Sequence, residues 1–386
     1  MAAFLTSLQR ELRFLGQSRP ELFAATALPL LLAALMAWIF SAGVPRELPV
    51  ALVDQDRSTT SRTLARMLDA APGVRIAAQP TELEAAWTLM RRLEVYATVH
   101  VPADTYRRLA HGETATLFAY YNAAYQTPSE AAFREIQVVV QALGARVAFE
   151  EAGMARGPAA VRAPPIEVQR TVLYNPQGSY EQYLGLLVNA AMLHLLLCVC
   201  VITAIGRELR DGTAAHWLAD CDDRFIPALL GKIAPYVLAF TLYGMLSLWF
   251  IRELRGPGIA GSSALLLLAQ FAMYAAYAGV GLLFVGVTRN MTVSLSLAAF
   301  YAGASLAFAN AVFPVETGSL FTRTWSALLP FSQYAAIHEQ QVYFGSGSAA
   351  ALPHLGGLAL FALLGGGLGM LLYARAARDP ASWGRR

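Results

Sequence analysis

The densest run of charge in the sequence is GRELRDGTAAHWLADCDDRFIPALLGKIAPY, residues 206–236, set between two long apolar stretches. It carries Arg207, Glu208, Asp211, Gly212, Thr213, Trp217 and Lys232. Ion pairing is the chemistry such a run offers, and on pattern alone it reads as a solvated loop between membrane spans. Asp54 with Asp56 and Asp222 with Asp223 could suggest acid–base or metal work. They stand two apart or adjacent in expected turns, without a converging set of histidines, so they read as solvated charge. Cys198 and Cys200 lie in an apolar run and Cys221 in a polar segment; no metal-ligand Cys/His spacing and no disulfide framework follows from them. Lys232 is the one lysine in the chain and is followed by Ile233. A phosphate-cradling loop needs Gly-Lys-Ser/Thr at that point, so no nucleotide site and no cofactor of its own is expected. Four polar residues sit within apolar runs: Asn189, His194, Gln270 and Asn310. Such groups are costly in lipid and face a bundle interior or cavity, which makes them candidates for a substrate pathway, with routine interhelical hydrogen bonding as the alternative.

These residues need helices to hold them. Of the 386 residues, 56% are hydrophobic and 14% charged, too few charges to clothe a soluble protein of this length. Basic residues are scattered rather than gathered in a stripe, which gives no support to nucleic-acid binding. Apolar runs long enough to cross a hydrocarbon core of about 30 Å predict six transmembrane helices, at 23–43, 181–206, 232–251, 262–287, 292–313 and 353–374. Residues 1–22, FLTSLQRELRFLGQSRPE at their heart, read as an amphipathic interfacial helix leading into a retained anchor. The Gly365-Gly366-Gly367 run with Gly369 reads as close helix packing.

Arginine and lysine distribution sets the orientation. Arg10, Arg13, Arg19, Arg207, Arg210, Arg224, Lys232, Arg289, Arg375, Arg378, Arg385 and Arg386 fall on one side, against Arg252, Arg255 and Arg323 in the other short loops. Both termini are therefore expected in the cytoplasm, with 207–231 a cytoplasmic segment, 375–386 a cytoplasmic tail, and 44–180 an extracytoplasmic domain. Within that domain LPVALVD, VRIAA, YATVHVP and TATLFAYYN read as strands, and STTSRTLARMLDA, TELEAAWTLMRRLE and 128–154 as helices. The expected fold is thus an α-helical polytopic membrane protein with an α/β domain inserted between its first two spans. GPAAVRAPPIEV reads as a linker back to the membrane, and 314–352, rich in proline and aromatics, as an outer loop with short or re-entrant helices.

The order Arg207-Glu208, Asp211-Gly212-Thr213, Gly231-Lys232 and Pro235-Tyr236 resembles the coupling region of ABC-2 type transporter permeases. The resemblance continues through VDQDRSTTSR, AHGETATLFAYYN, VLYNPQGSY, FPVE and LLPFSQY. It departs at Ala215, where the family commonly has an acidic residue, and at Cys221, where it commonly has proline. The resemblance implies a permease subunit of an ABC exporter in a bacterial inner membrane, moving a small molecule, drug or lipid-like substrate. It further implies an ATPase subunit that carries ATP and Mg, a second permease subunit, identical or paralogous, and room for a periplasmic adaptor. Arg207, Glu208, Asp211, Gly212, Thr213, Trp217 and Lys232 would then couple to the ATPase. The alternative reading is a membrane-anchored sensor or assembly protein with an external ligand-binding domain.

Overall fold

The computed structural model describes residues 1–40, 46–111, 113–122, 126–156, 179–311 and 314–384. The linker expected at 157–168, VLYNPQGSY as far as Gly178, and Arg385 and Arg386 lie outside these. The chain divides into two compact units: Met1–Gly43 with Val172–Arg386, and Val44–Thr171.

The first unit opens with α1 (Ala2–Gln17), whose buried residues Ala3, Ser7, Glu11 and Leu15 recur every four positions along one stripe. α2 (Arg19–Ala25) and α3 (Ala27–Ile39) follow, bent by 41°. The bend has a local cause. Pro29 has no N–H to give the Ala25 carbonyl, and Tyr243 Oη donates to that carbonyl at 3.3 Å instead.

The second unit contains β1 (Leu48–Asp54), α4 (Thr59–Asp69), β2 (Val74–Ala78), α5 (Leu83–Arg91), β3 (Ala97–Val101), α6 (Thr105–Ala110), β4 (Phe118–Tyr121) and α7 (Gln126–Arg156). The strand order is β2-β1-β3-β4, with β1 parallel to both neighbours and β4 antiparallel to β3. Alternation sorts β1 between two cores. Val50 and Leu52 pack with Leu64, Leu68 and Ile136 on one face, and Ala51 and Val53 with Ala86 and Val95 on the other. Asp54 does not stand as free charge: it accepts from the backbone N–H of Asp56 and Arg57 and from Ser61 Oγ, bracing the turn into α4.

Back in the first unit are α8 (Leu186–Arg210), α9 (Ala214–Ala219), α10 (Phe225–Trp249), α11 (Ser263–Thr288), α12 (Met291–Gly303), α13 (Leu320–Ala327), α14 (Pro330–Glu339) and α15 (Ser348–Arg378). Among the described residues four helices are long and apolar enough to cross a membrane, or five if α2 and α3 count as one span. The fifth expected crossing, 292–313, is not a helix of that length. α12 has 13 residues, about 20 Å at the helical rise, and the chain then turns over 304–310. Ser305 there bonds Tyr277 Oη at 2.9 Å, and Asn310 takes a left-handed φ of 61°. The apolar composition of the run hides these turn residues.

Between positions 207 and 231 the chain is largely helical. Helix α8 runs on through Arg210 and α10 begins at Phe225, leaving α9 between two turns.

α11 and α15 pack backbone to backbone. A Cβ on Gly279 would stand 2.8 Å from Gly366 N, and one on Gly369 would stand 2.7 Å from Leu283 N. With lipid tails as apolar as leucine, such close approach supplies the dispersion contact that joins spanning helices. Gly279→Leu should therefore force the pair apart at a cost of about 1–3 kcal/mol or more, read as a lower melting temperature of the purified full chain. Gly367→Leu, where an added Cβ meets nothing within 4 Å, should leave it unchanged.

Candidate functional site

Four ionised side chains meet where α1, α8 and α10 converge. Glu11 is brought there by the buried stripe of α1, Arg207 and Glu208 by the last turn of α8, and Lys232 by the second turn of α10. Each is at least 95% buried: Glu11 is 0% exposed, Lys232 1%, Glu208 2% and Arg207 5%. Charges so far from water persist only when paired and hydrogen-bonded.

The pairing is dense. Lys232 Nζ donates to Glu11 Oε2 at 2.8 Å and to Glu208 Oε1 at 2.7 Å. Arg207 holds both Glu11 oxygens through Nη2, at 3.0 and 2.8 Å, and reaches Glu21 Oε2 at 2.5 Å through Nη1. Tyr236 Oη donates to Glu11 Oε1 at 2.6 Å. Thr213 Oγ1 donates to Glu208 Oε2 at 2.5 Å, and Arg10 reaches both that oxygen and Asp220, each at 3.2 Å. The Arg207 guanidinium also lies over the Phe14 ring, 3.4 Å from its centroid. Burial by itself works to raise the Glu11 pKa, but Lys232 and then Arg207 beside it reverse that and hold the carboxyl below the usual carboxylate range.

The local sequence explains why these groups can meet. Gly231 lets α10 touch the backbone of α1, since a Cβ there would stand 2.3 Å from the Phe4 carbonyl oxygen. Gly212, at φ 68°, closes α8 in the left-handed conformation favoured after a helix C-terminus. The next N–H, of Thr213, then returns to the Glu208 carbonyl at 3.0 Å. That turn brings the Thr213 hydroxyl onto Glu208 and starts α9, whose fully buried Trp217 donates Nε1–H to Ser7 Oγ at 2.9 Å.

Of the coupling residues singled out in the sequence, Arg207, Glu208, Thr213, Trp217 and Lys232 thus belong to one network, with Gly212 shaping the turn. Asp211 faces outward and pairs with its neighbour Arg210 at 2.7 and 3.0 Å. Glu208 has both oxygens hydrogen-bonded inside the protein and also lines the adjoining polar cleft. Beside the network a polar cleft of about 250 Å³ opens, lined by Arg10, Arg13, Gln17, Arg207 and Asp211 among others. Sequence reasoning missed Glu11, Glu21, Arg10 and Ser7. The signal for Glu11 was present: an acid on the apolar stripe of α1, four residues from Ser7 and from Leu15.

The pathway candidates do not form one group. His194 is fully buried, its two ring nitrogens 3.1 and 3.2 Å from the carbonyl oxygens of Ala190 and Ala302, to one of which a neutral ring donates, and its ring stacked on Tyr277 at 4.2 Å. Gln270 donates to Tyr334 Oη at 3.1 Å, and Tyr334 adjoins Phe331, which lies against His194. His194 and Gln270 therefore border one aromatic cluster without touching. Asn189 is buried on α8. Asn310 lies outside any helix, in a turn where its Oδ1 accepts from Val315 N at 2.6 Å.

Removing one member of a buried charge network leaves its partners uncompensated. Lys232→Met should cost about 3–5 kcal/mol, measured by thermal unfolding of the purified chain. Lys232→Met combined with Glu208→Gln should lose less than the single variant, because a buried carboxylate is neutralised along with its cation. The pH dependence has a definite sign: with the folded value the lower, the contribution of Glu11 is complete above the ordinary carboxylate range. It is lost as pH falls through the folded value. Glu11→Gln should therefore flatten the acid side of the stability profile.

A sequence profile of the family described as "ABC-2 family transporter protein" matches residues 21–371. Neither a curated protein nor a solved structure matches the chain significantly. The matched region runs from Glu21 into α15, and so takes in the spanning helices, the sheet unit, and Arg207, Glu208 and Lys232 of the charge network. The chain belongs to the ABC-2 family of transporter proteins, as a multi-pass membrane permease component.

Proposed function

We propose that the chain is the permease subunit of an ABC exporter that moves a small molecule, drug or lipid-like substrate out of the cytoplasm or inner leaflet. ATP is hydrolysed on a separate ATPase subunit docked at the α1–α9 end. A second permease subunit, identical or paralogous, completes the pathway in the bacterial inner membrane. Both termini then face the cytoplasm and the sheet unit lies outside it, with room for an adaptor on that side.

The observation that carries this reading is the Glu11–Lys232–Glu208–Arg207 network. It fastens the peripheral helix α1 and the short helix α9 to two long spanning helices. A partner pressing on α9 moves a braced corner of the bundle rather than a loose loop, which is what conversion of ATPase closure into helix motion requires. The exposed residues of α9, Ala215, His216 and Ala219, are the ones free to meet that partner. Lys232 is engaged by two carboxylates.

Ala215→Trp changes the docking surface alone, whereas Glu208→Ala breaks the brace behind it. In a complex with the cognate ATPase, Ala215→Trp should lower co-purification and export while the chain keeps its melting temperature. Glu208→Ala should lower the melting temperature and disconnect ATP hydrolysis from export. Export and substrate-stimulated hydrolysis at wild-type levels in both variants would overturn the coupling role. Topology is tested separately in a background lacking Cys198, Cys200 and Cys221. An impermeant thiol reagent added to intact cells should label Glu84→Cys and spare His216→Cys, and the reverse pattern defeats the orientation.

A further inference from the structure

We infer that the sheet unit holds a binding site for a single alkyl chain. The inference does not depend on the transport reading. A cavity of about 450 Å³ lies wholly within this unit, between α4, β3, α6, the segment leading into β4, and α7. Protein interiors pack at crystal-like density, whereas ligand sites run to about 300–1,000 Å³, so this volume is that of a site rather than a packing defect.

The lining chemistry selects the occupant. Leu64, Val101, Leu117, Val140 and Leu143 supply the walls, and among the described residues no ionisable side chain lines the space. Ser61 and Thr105 are the hydroxyls set deepest, 2% and 4% exposed. Their hydrogens are already committed, Ser61 Oγ to Asp54 Oδ2 at 2.7 Å and Thr105 Oγ1 to the Pro102 carbonyl at 2.8 Å. Inside, then, an anionic group would find no countercharge among the described residues and no hydrogen from the two deepest hydroxyls, and would lose hydration without full replacement. The other lining hydroxyls, Thr60 and Thr114, are nearer solvent. A chain of methylenes loses nothing polar on entering and gains burial. Its polar end stays at the open side, where Thr114, Gly144 and Ala148 are exposed.

Gly144 is the second, independent observation. It sits inside the 31-residue helix α7, where glycine is the least favoured residue after proline. Close packing is the usual reason for glycine at such a position, yet an added Cβ at Gly144 would meet nothing within 4 Å. Its missing side chain instead leaves the mouth of the cavity open.

The test uses the full chain in lipid nanodiscs, without any ATPase partner, and two photoreactive probes: a diazirine-bearing dodecanol added from solution, and a phospholipid with the diazirine on its acyl chain. Crosslinks mapped by mass spectrometry should fall within residues 101–117 and 140–148. Gly144→Leu and, from the opposite wall, Leu109→Trp should each reduce them by about tenfold or more, with the melting temperature no lower than wild type for Gly144→Leu. Labelling by the phospholipid identifies a bilayer lipid as the source of the chain, and labelling by the alcohol alone identifies a free amphiphile. Crosslinks confined to the spanning helices, or labelling of the sheet unit undiminished by Gly144→Leu, would overturn the proposal. Failure of the ATPase-coupling experiments would leave this result standing.

Discussion

Burying an ion costs several kcal/mol unless other protein groups replace the water it gives up, and at the α1–α8–α10 corner four ions are buried together. Glu11 is the centre of the arrangement, receiving Lys232, Arg207 and Tyr236 at once. None of these can be satisfied within its own helix. The network therefore exists only when α1 lies along α10 and α8 runs straight to Arg210. It rewards that one arrangement of helices and penalises each partial one, because a half-assembled network leaves a bare charge in a low-dielectric setting.

The glycines and aromatic residues around the corner follow from that requirement. Gly231 brings α1 near enough for Lys232 to span between Glu11 and Glu208, and Gly212 ends α8 at the point where Thr213 can return to Glu208. Trp217 seals the other side through Ser7, and Tyr373 of α15 donates to the Ile205 carbonyl at 2.7 Å, tying the last spanning helix to the same end. Elsewhere in the bundle the polar groups are handled differently. His194 and Gln270 lie against backbone carbonyls and a tyrosine, within an aromatic cluster shared by α8, α11 and α14. The α1–α8–α10 corner is thus held by charge, and the cluster around His194 by aromatic rings and single hydrogen bonds. A further buried cation, Arg252, bonds Gln182 and the Val342 carbonyl.

The sheet unit is organised by an independent rule. β1 is buried on both faces and its alternate residues face two cores, so α4 and α7 must cover one side and α5 the other. One face is less completely filled than the other, and the alkyl-sized cavity lies there. No ionic lock holds it; its shape depends on where α6 and α7 sit over the strands.

What the sequence determined by itself is what depends on composition and short-range period. The excess of apolar residues required lipid, the runs near α8, α10, α11 and α15 were long enough to be seen as spans, and LPVALVD, VRIAA and YATVHVP carry their strand character in β-branched residues. The stretch at 292–313 read as one helix because hydropathy sums over a window and cannot register the turn over 304–310 that holds Ser305 and Asn310. The motif order around Arg207, Glu208 and Lys232 was legible as a resemblance, but its physical content was not. Glu11 and Lys232 are separated by 221 positions, and nothing in either helix's periodicity says that the two will meet. Only the tertiary structure decided that Glu208 faces inward, that the glycines of the motif serve close approach and a left-handed turn, and that α1 belongs to the site. The reason is that electrostatic pairing at low dielectric depends on distance in space, while a sequence records only distance along the chain.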